Sequence, residues 1–141
     1  MPKAAVVRAV LFLGVVYFMI GVVFGALAAG AASRQGLVAW RWAAWALSGI
    51  VFGGHIVYER VRARSSRRIT ALYAASAAAL GAFGLAVAAN VHARTVGARQ
   101  HTLALAASLV IWPAITALPA FVAALVAAVL VDRARRRGRP G

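Results

Sequence analysis

His55 and Glu59 stand one helical turn apart, and Arg62 follows three residues later. That spacing puts an imidazole and a carboxylate on one face of a helix. Such a pair can sense or exchange a proton, or offer two ligands to a metal. Two ligands fall short of a zinc centre, which takes three or four protein ligands. The same residues also suit a hydrogen-bonded anchor at a helix end. A second polar group comprises Asn90, His92, Arg94 and His101. Together with Arg41 and Trp42, Asn90, His92 and Arg94 could line a vestibule. Asn90 could equally cap its helix or bond across to a neighbour. His92 and His101 alone make a poor metal site, and a haem shared by His55 and His92 would need both at one depth.

Pro113 and Pro119 are the third feature. Each lacks an N–H and disturbs the carbonyl four residues earlier, here Leu109 and Ile115. Ser108 and Thr116 are near enough in sequence to help satisfy the freed groups. The pair predicts a kinked helix, a hinge, or a break lining a solute path.

What is missing is equally informative. No Asp, Glu, Lys or Arg falls in the central half of any apolar stretch. Intramembrane ionisable groups are the usual seat of transport and proton relay. With no cysteine, disulfides, thiolate metal sites and Cys-x-x-Cys chemistry are excluded. The expectation is a protein that is not an enzyme and holds no cofactor.

The elements that must position these residues are four apolar stretches, approximately 7–32, 38–60, 69–92 and 102–131. A helix needs about 20 residues to cross a hydrocarbon core. The chain has 141 residues, 64% of them hydrophobic, and the pieces between stretches are too short to bury a core of their own. In lipid every backbone group must be bonded within its segment, so the stretches are helices. Short connections favour antiparallel neighbours. The predicted fold is therefore all-α: an integral-membrane, antiparallel, up-down-up-down four-helix transmembrane bundle. Residues 132–141 read as a basic cytoplasmic tail.

Formal net charge is +14, from 16 basic residues against Glu59 and Asp132. The basic residues lie in short clusters beside the stretches, without the aromatic interleaving that stacking on nucleic-acid bases needs. Nucleic acid is not expected as a partner. Twelve of them, including Arg60, Arg62, Arg64, Arg67, Arg68 and the run from Arg133, fall on the side shared by both termini. The positive-inside rule then places both termini in the cytoplasm. Ala- and Arg-rich composition suggests a GC-rich bacterial genome, hence the bacterial inner membrane. The Arg-rich face should attract anionic lipids. The run 26–33 also resembles a signal cleavage region, but the preceding apolar run exceeds a signal core of about 7–15 residues. The first stretch is read as a retained span. Trp40, Trp42 and Trp45 bracket the outer end of the second stretch, with Tyr58 and Tyr73 near inner ends, at headgroup level.

Small residues should carry the packing, because lipid tails supply no hydrophobic drive between helices. Gly14, Gly21 and Gly25 share a face; Gly49 and Gly53 form a Gly-x-x-x-Gly pair; Gly81 and Gly84 align with Ala77 and Ala88. These faces serve internal packing or a homo-oligomer seam. The segments 24–29 and 83–88 also form a faint repeat.

Gly21-Val22-Val23-Phe24-Gly25-Ala26 is similar to the Gly-rich first helix of bacterial fluoride channels. The Arg and the polar Asn-Gly segment expected with it are missing. Small multidrug-resistance transporters also have four spans but need a Glu in the first, and vitamin-K-epoxide-reductase-like enzymes need cysteines. No family is identified. The functional expectation is an accessory, assembly or scaffold component acting through helix packing, with a membrane-protein partner or a second copy. The alternative is a homo-oligomeric channel or transporter for a small neutral or apolar solute.

Overall fold

A computed structural model describes residues 3–95 and 102–137. Gly97, Arg99 and His101 lie outside them. The described residues form four helices and no strand: α1 Lys3–Ala29, α2 Arg34–Val61, α3 Arg67–Thr95 and α4 Thr102–Arg137. The fold is all-α.

α1, α3 and α4 are apolar around their whole circumference rather than along one stripe. Such a helix belongs either in the middle of a large protein or in a membrane. Here the large side chains are outside. Leu103 is 87% exposed, Trp45 76%, Phe12 68%, while the buried core is largely alanine: Ala71, Ala74, Ala77, Ala124 and Ala128. Water would not tolerate that arrangement; hydrocarbon does. These three helices are long and apolar enough to cross a membrane, with mean hydropathies of 2.6, 1.8 and 2.5. α2 has the length, 28 residues, but not the hydropathy. Its Trp, Ser, Gly and His residues dilute the apolar run. Of the four expected spans, three are thus apolar enough to cross by length and composition, and α2 is the more polar helix.

Contacts fix how the helices run. Gly14 meets Leu80, Gly21 meets Leu85 and Gly84 meets Phe18, so α1 and α3 run the same way. Asn90 reaches Leu105, and Ala71 and Ala74 cluster with Ala124 and Ala128, so α3 and α4 run oppositely. α2 lies against both α1 and α4, while α1 and α4 scarcely touch. The order around the molecule is thus α1, α3, α4, α2, with glycines closing the α1–α3 seam. The faint repeat has no counterpart in packing: Gly84 lies under the Phe18 ring, whereas Gly25 faces open space.

Each of the two described turns carries a serine at the start of the next helix. The Ser33 hydroxyl accepts from the Gly36 N–H at 3.1 Å and caps α2. Ser66 does the same for α3, accepting from the Ile69 N–H at 3.4 Å. Between them α2 ends at Val61, and Arg64 takes a left-handed φ of 51°. α4 continues through Arg137, so Asp132 through Arg137 are helical.

Candidate functional site

The two acidic residues of the chain lie at one end of the molecule, where α2 turns into α3 beside the end of α4. Asp132 accepts from Arg60 at 2.5 Å and 3.1 Å on one oxygen, and from Arg67 at 2.7 Å on the other. Arg60 also donates to the Ser65 carbonyl, and Arg135 donates to the Arg60 carbonyl at 3.1 Å. Asp132 is the first charge beyond the apolar run of α4. The hydrogen bonds from Arg60 hold its carboxyl below the ordinary carboxylate range; burial opposes them, and the Arg67 hydrogen bond and the charges of both arginines add to the lowering.

Glu59 is 3% exposed and accepts from the Ser65 hydroxyl at 2.6 Å. Its partner is therefore a loop serine, and not the Arg62 that sequence spacing pointed to. His55 is nine-tenths buried one turn away, and its Nε2 has no hydrogen-bond partner. The two residues share a pocket of about 310 Å³ between α1 and α2, walled by Phe12, Leu13, Val51 and Tyr58. Thr70, fully buried at the start of α3, is the other side chain with an unpartnered buried polar atom among the described residues.

At the opposite end, the Asn90 amide donates to Ala86 O at 2.8 Å on its own helix. Across the gap to α4 it reaches Leu105 O at 2.8 Å and the Ser108 hydroxyl at 3.2 Å. Asn90 is thus a joint between α3 and α4. Arg41 and Trp42 are exposed on α2, and neither they nor Asn90 line the groove that His92 edges. His92 is exposed and edges an apolar groove of about 700 Å³ between α1 and α3. Among the described residues no three His, Asp or Glu side chains converge as a metal site.

Pro113 and Pro119 sit inside α4, which runs unbroken from Thr102 to Arg137. Thr116 donates to Trp112 O at 2.8 Å and Ser108 to Leu105 O at 2.6 Å. Neither hydroxyl serves Leu109 or Ile115, the carbonyls the prolines free. This corrects the expected compensation: a hydroxyl reaches back three or four residues from its own position, and these two are out of step with the prolines.

Eight of the glycines inside the helices fall into two sets. A methyl group at Gly14, Gly21, Gly81 or Gly84 would stand 2.5–2.8 Å from a side chain of the neighbouring helix. At Gly25, Gly49, Gly53 and Gly54 it would meet nothing within 4 Å. Gly49 and Gly53 continue a face of α2 that carries the exposed Trp42 and Trp45.

Asp132, Arg60 and Ser65 are the site residues that sequence reasoning passed over. The available signal was Asp132 itself, one of two acids among 16 basic residues, placed immediately after an apolar run.

Comparison with known protein families, with curated proteins and with solved structures finds no match for this chain.

Proposed function

We propose that this chain is a small four-span protein of the bacterial inner membrane with both ends in the cytoplasm. It catalyses no reaction and acts as an accessory, assembly or scaffold component by packing a helix face against a second membrane protein. The observation that carries this reading is the unfilled glycine pair of α2. Gly14, Gly21, Gly81 and Gly84 are occupied by the α1–α3 seam, while Gly49 and Gly53 meet nothing. A Gly-x-x-x-Gly pair lets another helix backbone approach closely in lipid. Trp42 and Trp45 beside it add large, rigid contact area.

Two observations support α2 as the fourth span. Its first part lies against α1, with Phe24 and Trp40 ring centroids 6.0 Å apart, and its end is tied to α4 through Arg60 and Asp132. It therefore runs alongside helices that are apolar enough to span. The Arg-rich loop and the end of α4 share one end of the molecule, consistent with a cytoplasmic face that attracts anionic headgroups at about 1 kcal/mol per residue.

The channel or transporter alternative rested on Asn90, Pro113 and Pro119. It draws less support, since Asn90 is engaged in the α3–α4 joint and α4 is continuous. Purification from native membranes in mild detergent tests the proposal. A different membrane protein should co-purify in fixed stoichiometry and be lost on Gly49→Leu or Gly53→Leu. A lone monomer overturns the accessory role, and a clean homo-oligomer transfers support to the alternative.

A further inference from the structure

The pocket between α1 and α2 is lined at one end by two polar residues, one of which, His55, has an unpartnered nitrogen. His55 is nine-tenths buried with Nε2 unbonded, and Glu59 is 3% exposed with the Ser65 hydroxyl as its hydrogen-bond donor. An ionised carboxylate offers about four acceptor positions, so most of the Glu59 capacity is unused. Buried polar groups are ordinarily satisfied, and an exception asks for a missing partner. The rest of the pocket is apolar and partly aromatic, with Phe12 and Tyr58 exposed at its edge.

We propose that this pocket binds a small neutral phenol-type molecule, drawn from the membrane, with its hydroxyl between Glu59 and His55. A hydroxyl both donates and accepts, so it can donate to the Glu59 carboxylate and accept from an Nε2–H on His55. Size agrees: about 310 Å³ is roughly twice an engineered apolar cavity of about 150 Å³ that takes up benzene, which suits one or two fused rings. Charge argues for a neutral ligand. An anion would face Glu59. A cation would enter an end of the molecule crowded by Arg60, Arg62, Arg64, Arg67 and Arg68 on a chain of net charge +14. This site is separate from the Gly49–Gly53 face and does not depend on the accessory role.

The test uses the full chain in lipid nanodiscs with 15N-labelled histidine, adding 2-naphthol, naphthalene or benzylammonium in parallel with protein-free nanodiscs. 2-Naphthol should bind saturably at one per chain and shift the His55 Nε2 resonance, while naphthalene only partitions. Glu59→Gln, which keeps shape but removes the charged acceptor, should weaken binding about tenfold. Gly54 lines the pocket and a Cβ there would meet nothing within 4 Å, so the longer side chain of Gly54→Leu is expected to occupy the pocket. That variant should lose binding while its thermal midpoint stays unchanged. Purely linear uptake of 2-naphthol overturns the proposal. So does equal saturable binding of naphthalene, tighter binding of benzylammonium, or unaltered binding by Gly54→Leu.

Discussion

A methyl group added at Gly81 would stand 2.5 Å from the Tyr17 Cβ, with Gly14 O and Phe18 N behind it at 3.3 Å. Two of those three atoms are backbone and cannot swing aside. Gly81→Ala should therefore destabilise the α1–α3 seam by about 1–3 kcal/mol, the usual cost of overpacking. Gly49→Ala should leave the monomer's stability unchanged or slightly raised, because nothing lies within 4 Å. Denaturant titration of both variants in the same detergent checks this, and equal stabilities would refute the assignment of the seam. The contrast also marks a limit of sequence reading. Spacing reveals that Gly49 and Gly53 share a helix face, as do Gly14 and Gly21. It does not reveal which face finds a neighbour, because that depends on the order of helices around the molecule. The partner of Glu59 was hidden for a similar reason. The local rule favours residues three or four away, whereas Ser65 comes back to Glu59 through a loop.

At the scale of the element, α4 is 36 residues, and its last part is held by charge rather than by apolar burial. Asp132 joins α4 to Arg60 on α2 and Arg67 on α3. Its folded pKa is depressed, so the unfolded chain takes up this proton first as pH falls. The contribution to stability is complete at neutral pH. It declines as pH drops below about 3.9, the ordinary value for Asp, and is gone below the depressed folded value. Asp132→Asn should abolish that component of acid sensitivity and speed hydrogen exchange in residues 62–66. Exchange rates and an acid-unfolding midpoint indistinguishable from the parent would show that the joint is ornamental. α4's existence was plain from its apolar run. Its true end was not, because hydropathy stops at Val131 while the helix continues on ion pairs with residues remote in sequence.

For the whole molecule, the buried core is mostly alanine and most of the large apolar side chains lie outside, which states the solvent more directly than composition does. The all-α class followed from the length and continuity of the apolar stretches. The neighbour order α1, α3, α4, α2 did not, since short loops equally suit a ring in chain order. Reporter fusions can settle the placement of α2. An enzyme active only outside the cytoplasm should work when inserted at Ser33 and fail at Arg64 or at the C-terminus. Equal signals at Ser33 and Arg64 would mean that α2 lies along the surface and does not cross.

The joint at Asp132 also orders events during synthesis. Arg60 and Arg67 leave the ribosome 72 and 65 residues before the aspartate that binds them. The α1–α3 seam can form while α4 is still being made, but the bend between α2 and α3 cannot be fastened until α4 has been threaded almost to its end. A chain interrupted before Asp132 would sit in the bilayer with its helices started and its arginines unanswered. Until Asp132 arrives the bend between α2 and α3 lacks the contacts that fasten it, so one carboxylate late in the chain closes what two arginines began.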